Sequence, residues 1–210
     1  MIVAICSGGP LREAAFELGA DRWIGVDRGA HHLLEQGIVP DAIVGDFDSV
    51  TEEEYASISG AVAHVETFQS EKDETDTELA LERALAFQPE KVLLTGVTGG
   101  RLDHYEAALR SVYRMQLAHP HIQFKIINQQ NELQFLTPGH HRLARGGQRY
   151  VSFFAYGEAV REVTLRGAKY ETTDEVIEQG TSRFTSNEII RDDAYIAFSS
   201  GICLMVRSTD

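Results

Sequence analysis

Ala42-Ile43-Val44-Gly45-Asp46-Phe47-Asp48-Ser49 is a short apolar run that breaks at a glycine into two carboxylates spaced two residues apart. A buried strand that opens at its carboxyl end into a polar turn has this pattern. In extended backbone, residues i and i+2 face the same way, so Asp46 and Asp48 aim at one point. Two carboxylates that close repel unless a cation or a shared proton lies between them. Oxygen-only ligands suit Mg²⁺, above all when phosphate oxygens complete its shell. The same residues could also form an Asx-rich turn that caps the next helix.

The segments on either side repeat this logic. Residues 2–6 are apolar and lead into Ser7-Gly8-Gly9-Pro10, and residues 11–18 then carry helical spacing with Gly19 as the stop. A second unit has Trp23-Ile24-Gly25-Val26 as strand, Asp27-Arg28-Gly29 as turn and residues 30–36 as helix. In this position Asp27 could serve as an N-cap. Further on, Thr51 to Glu54 start an acidic helix, and residues 61–68 form a further strand. Lys72-Asp73-Glu74-Thr75-Asp76 precedes a helix in which Thr75 or Asp76 could be the cap. Capping needs one such residue, and this stretch supplies more polar chemistry than that. Residues 91–95 form another strand, followed by Gly99-Gly100-Arg101-Leu102-Asp103-His104. Paired glycines let backbone N–H groups approach a phosphate, and Arg101 offers a planar fork for its oxygens. Strand, turn and helix alternating in this way predict a parallel α/β sheet, whose ligands bind beyond the carboxyl ends of the strands.

The texture changes near residue 130. From residue 131 to 210, short alternating runs separated by Gly, Pro and Ser turns predict an antiparallel β-sandwich or roll. The expected organisation is therefore an α/β domain over residues 1–130 and a β domain over 131–210.

The 210-residue chain has 43% hydrophobic residues and a net charge of −13. That charge argues against a nucleic-acid partner. No apolar run reaches membrane-spanning length. Cys6 and Cys203 are the two cysteines, which suits free thiols in a reducing compartment. Met1 runs directly into Ile-Val-Ala-Ile-Cys without a basic region, so a cytoplasmic location is expected.

In order along the chain stand Val26-Asp27-Arg28-Gly29, Gly45-Asp46-Phe47-Asp48-Ser49, Lys72-Asp73-Glu74-Thr75-Asp76 and Gly99-Gly100-Arg101-Leu102-Asp103-His104. This ordered set resembles the thiamine pyrophosphokinase family, and the resemblance covers nearly the whole chain. Gly37-Ile38-Val39-Pro40-Asp41, Gly167-Ala168-Lys169-Tyr170 and Thr185-Ser186-Asn187-Glu188 look like further elements of that family. The resemblance implies an N-terminal Rossmann-like α/β domain, a C-terminal β-sandwich, and a homodimer with thiamine at the subunit interface. It implies Mg²⁺-dependent pyrophosphoryl transfer from ATP to the hydroxyl of thiamine, giving thiamine diphosphate and AMP.

By the same resemblance Asp46, Asp48 and one or both of Asp73 and Asp76 would hold Mg²⁺. A remaining carboxylate would take the hydroxyl proton. Asp27, Lys72, Thr75, Gly99, Gly100, Arg101, Asp103 and His104 would contact the nucleotide. Ser186, Asn187 and Tyr170 would contact thiamine. Two alternatives stand beside this one. In a haloacid-dehalogenase-type phosphatase, Asp46 would be the nucleophile of an Asp-x-Asp motif. A non-catalytic thiamine or nucleotide sensor could use the same fold.

Overall fold

The computed structural model describes all residues except 12–15, 48–49 and 62–74, and divides the chain into two compact units, Met1–Gln129 and Gln130–Asp210. Residues 62–68 of the expected strand and residues 12–15 of the expected helix over 11–18 lie outside the described residues. Ala61 closes the helix Glu52–Ala61 instead of opening a strand, and residues 16–18 belong to no α-helix.

In the first unit, β1 (Ile2–Cys6), β2 (Arg22–Val26), β3 (Ala42–Val44), β4 (Lys91–Thr95) and β5 (Gln123–Ile127) pair in parallel, in the order β5-β4-β1-β2-β3. Helices α1 (Arg28–Glu35), α2 (Glu52–Ala61), α3 (Asp76–Leu85) and α4 (Leu102–Ala118) follow β2, β3 and β4. The strands read as near-continuous apolar runs because helices cover the sheet: Val3, Ala4, Ile5, Ile24, Ile43 and Leu94 are fully buried. Two helix starts are fixed by reciprocal capping boxes. Thr51 and Glu54 exchange bonds of 2.8 and 3.2 Å at α2, and Thr75 and Glu78 exchange bonds of 3.0 and 3.3 Å at α3. The strand order reverses between β1 and β4, which opens a crevice at their carboxyl ends.

The second unit has two antiparallel sheets. One has the order β11-β8-β13-β6, from Asn187–Glu188, Tyr150–Ala155, Cys203–Ser208 and Asn131–Leu136. The other is β10-β9-β12-β7, from Thr172–Ile177, Val160–Arg166, Tyr195–Phe198 and Gly139–Arg142. Alternate residues of both sheets meet in one core, with Val151, Phe153 and Ala155 of β8 and Cys203 and Met205 of β13 against Val163, Leu165 and Ile196. The expected pairing of a parallel α/β unit with an antiparallel sandwich is borne out. Among the described residues, no helix is long and apolar enough to cross a membrane.

Candidate active site

The crevice is walled by the turns that end β1 and β4, and their backbones bond directly. Ser7 N–H donates to Thr95 O at 2.9 Å, and Gly9 N–H to Gly96 O at 2.8 Å. The start of α1 presses on the same turn so closely that a Cβ on Gly29 would overlap the Cys6 carbonyl. Two buried hydroxyls line this end of the sheet. Ser7 Oγ lies 3.5 Å from Thr77 Oγ1, and Thr95 Oγ1 has no hydrogen-bond partner among the described residues. Asn128, just past β5, donates to Thr98 Oγ1 at 2.9 Å and steadies the Gly99-Gly100 turn. Ser7, Thr95 and Thr98 received no role from the sequence. Their position at the ends of apolar strands, just before glycines, was the available signal.

Asp27 occupies the N-cap position of α1 at a φ of 47°, yet its side chain caps nothing. Its Oδ1 instead accepts the N–H of Phe47 at 3.3 Å, which ties the β2 turn to the β3 turn. Gly45, at a φ of 143°, lies against this carboxylate, and a Cβ there would overlap it. Next to it, Phe47 is buried against Ile43, Ile58 and Ala30 and meets Tyr55 edge-on at 5.4 Å. Asp46 is therefore an exposed carboxylate held between a glycine with no room for a side chain and an anchored aromatic. Its partners in the expected acid set, Asp48 and Asp73, lie outside the described residues, as does Lys72. Among the described residues, no three acidic, histidine or cysteine side chains converge on one point.

Thr75 uses its hydroxyl on the α3 capping box, and Asp76 opens that helix. At the β4 side, Arg101 is the N-cap residue of α4 without a side-chain cap bond. Its guanidinium forks onto Asp103, at 3.1 Å from Nε to Oδ1 and 2.5 Å from Nη2 to Oδ2. That pairing holds the Asp103 carboxyl at about 2, below its ordinary value. His104 is exposed, and its N–H donates to Asp103 Oδ1 at 3.0 Å.

In the second unit, Asn187 is buried, and both ends of its amide are bonded. Oδ1 accepts Tyr170 N–H at 3.0 Å and Glu188 N–H at 2.9 Å, while Nδ2 donates to Tyr170 O at 2.7 Å. Ser186 has a φ of 57°, and its N–H donates to Ser152 Oγ at 3.0 Å. Tyr170 is exposed, with the Lys169 ammonium 5.6 Å from its ring centroid. Lys169 and Arg149 share Glu188 at 3.2 and 3.3 Å, which lowers the Glu188 carboxyl below its ordinary value.

A parallel α/β unit with acid- and glycine-rich turns beyond its strand ends, followed by a β-sandwich, defines the class. Residues 17–126 match the family described as thiamin pyrophosphokinase, catalytic domain, and residues 140–203 match thiamin pyrophosphokinase, vitamin B1 binding domain. Thiamine pyrophosphokinase of Bacillus subtilis is 39% identical over 189 residues, covering 90% of this chain and 87% of that protein. A crystal structure of thiamine pyrophosphokinase from the same species superposes with a TM-score of 0.94 at 37% identity, covering all of both chains. Thiamin pyrophosphokinase from Geobacillus thermodenitrificans superposes at 0.90 with 37% identity, covering all of this chain and 98% of that one. The chain belongs to the thiamin pyrophosphokinase family of enzymes.

Proposed function

We propose that this protein transfers the pyrophosphoryl group of ATP to the hydroxyl of thiamine, giving thiamine diphosphate and AMP. The observation that carries the reading is the Asp27–Gly45–Asp46 arrangement at the carboxyl ends of β2 and β3, within the unit that matches the family's catalytic domain. In the reaction, the thiamine hydroxyl oxygen bonds to the β-phosphorus, the bond from that phosphorus to the α,β-bridging oxygen breaks, and AMP departs. Positioning and charge neutralisation carry most of such a transfer.

Each residue has a task in this reading. Asp46, Asp48 and Asp73 would hold Mg²⁺, and the exposed, oxygen-only character of Asp46 fits that ion. When bound, the ion supplies charge neutralisation at the phosphate oxygens. Asp27 acts at one remove, holding the Phe47 backbone so that Asp46 faces the substrate. Arg101 and Lys72 supply cationic donors to the polyphosphate, with Asp103 orienting the Arg101 fork. The Gly99-Gly100 turn brings main-chain N–H groups to the phosphates, and His104 stands beside it. Thr75 fixes the start of α3, so that Asp76 projects from a defined helix end. One of the carboxylates takes the hydroxyl proton. In the β unit, Ser186 and the exposed ring of Tyr170 are the thiamine contacts, and Asn187 sets both in place. The reading includes a homodimer and a cytoplasmic setting, to which the two buried thiols are suited. The phosphatase alternative is set aside because both units match one family.

Phosphorus NMR with ATP and Mg²⁺, with and without thiamine, tests the reaction. Thiamine-dependent appearance of AMP and thiamine diphosphate is expected. ADP or inorganic phosphate in their place overturns the transfer. Saturable thiamine binding without turnover would leave a sensor.

A further inference from the structure

The β unit carries a cleft of about 220 Å³ at one end of the sandwich, and three arginines line it. Arg207 follows the inward-facing residues Cys203 and Met205 at the strand period of two, so its side chain takes a core-side position. It is 8% exposed. One guanidinium nitrogen, Nη2, donates to Ala144 O at 2.6 Å. The other lies against bare main chain, because a Cβ on Gly146 would be 3.0 Å from Nη1. Among the described residues, no carboxylate forms an ion pair with it. Its cross-strand neighbour Glu132 offsets only part of the burial that pulls its pKa below the ordinary arginine value. A buried cation without a full counter-charge is costly to keep, and an anion bound beside it would offset that cost.

The rim has the same character. Arg145 reaches Asp192 at 3.5 Å, but that aspartate is 87% exposed and competes weakly in water. Arg149 is split between Glu188 and the face of Tyr150, with its guanidinium carbon 5.1 Å from the ring centroid. Gln148 adds a neutral donor. In a chain of net charge −13 this is a local reversal of sign. Glu188 also lines the cleft and takes up part of the charge of Arg149. Three guanidinium groups thus face one carboxylate, a balance that disfavours the cationic thiazolium of thiamine. Planar guanidinium forks match tetrahedral oxyanions in shape and charge.

We infer that the cleft between Arg145, Arg149 and Arg207 is a binding site for a phosphate-type oxyanion, either inorganic or the phosphate end of a small metabolite. The inference does not depend on the transfer reaction, because the site lies within the β unit and its occupancy requires no turnover.

The test is calorimetric titration of the full-length protein in EDTA with inorganic phosphate, pyrophosphate and thiamine diphosphate in turn. Saturable binding of at least one is expected, weakened at least tenfold in Arg145→Ala and in Arg207→Met. Arg145→Ala changes an exposed rim residue, so it reads the site even where Arg207→Met folds poorly. The component of binding lost in Arg145→Ala should persist in Arg101→Ala, whereas product held in the catalytic crevice is weakened by Arg101→Ala and not by Arg145→Ala. Arg145-dependent binding of all three probes identifies the phosphate group itself as the ligand, whereas Arg145-dependent binding of thiamine diphosphate alone assigns the site to an organic diphosphate. No saturable binding by any probe, affinity unchanged in Arg145→Ala, or loss in Arg101→Ala with retention in Arg145→Ala would each overturn the site.

Discussion

The Asn187 carboxamide and the Tyr170 backbone form a closed pair, with Oδ1 accepting the Tyr170 N–H at 3.0 Å and Nδ2 donating to its carbonyl at 2.7 Å. A side chain buried in β11 thus completes the hydrogen bonding of a segment 17 residues earlier, much as another strand would. Replacement by alanine leaves a part-buried N–H and C=O without these partners, a loss of about 1 kcal/mol. Asn187→Ala is therefore expected to lower the urea midpoint with an unchanged m-value. Asn187→Asp should be no better, because it sets an oxygen against the Tyr170 carbonyl. An unaltered midpoint in both variants would show that the pair is not formed in solution.

Gly45 and Asp27 are coupled in space. An alanine at 45 would meet the Asp27 carboxylate and would also hold a φ of 143°. The backbone part alone costs on the order of 1–3 kcal/mol. Gly45→Ala should destabilise the protein, and Asp27→Ala in the same chain should recover part of that loss. Strict additivity in a double-mutant cycle would contradict the contact.

Asp46→Asn keeps the shape of an exposed residue and removes its charge. Turnover is expected to fall by about 100-fold or more, the scale seen when a preorganised electrostatic contact to a transition state is removed. The thermal midpoint should stay within about 1 °C, since exposed substitutions change stability little. Near-normal kcat in this variant would remove Asp46 from the phosphate site.

Arg101 and Asp103 define a pH signature. The Asp103 carboxyl lies at about 2 when folded, below the ordinary 3.8. A carboxyl depressed on folding adds stability above its unfolded pKa, and loses that contribution as pH falls through the folded value. The pair should therefore persist at every pH above about 4 and dissolve only between about 4 and 2. Carbon-13 NMR titration of the Asp103 carboxyl is the direct measurement. A midpoint near 3.8 would mean that the fork is not held.

Burial raises both thiols to about 12. At pH 8 neither Cys6 nor Cys203 should react with a disulfide reagent in the native protein, while both should react after denaturation. Rapid labelling of native protein would place a thiol at the surface.

The elements that the sequence made legible are those that local pattern dictates. Residues 2–6 and 91–95 are apolar runs long enough to read as strands, and the Thr75–Glu78 capping box is written in four consecutive positions. β7, with Gly139-His140-His141-Arg142, and β10, with two threonines and two acids, escaped notice. Their pairing is imposed by β12 and β9, and neither carries an apolar alternation of its own. The two-residue β11 is too short for any period. At the site, Asp27 was legible as a polar residue after a strand, and an N-cap was the local expectation. Its actual partner is a backbone N–H 20 residues away, which no local rule supplies. Asn187 was named through the family resemblance, and its hydrogen bonds to Tyr170, 17 residues earlier, are likewise beyond any local rule.

The floor of the α/β crevice is main chain against main chain, with Gly29 under the Cys6 carbonyl and Gly9 bonded to Gly96. Side-chain libraries aimed at a different acceptor alcohol would gain nothing by sampling these positions, because every replacement at Gly29 must first push two backbone segments apart. Diversity belongs at exposed positions such as Asp46 and Arg101, where a new side chain can be carried without moving the main chain beneath it.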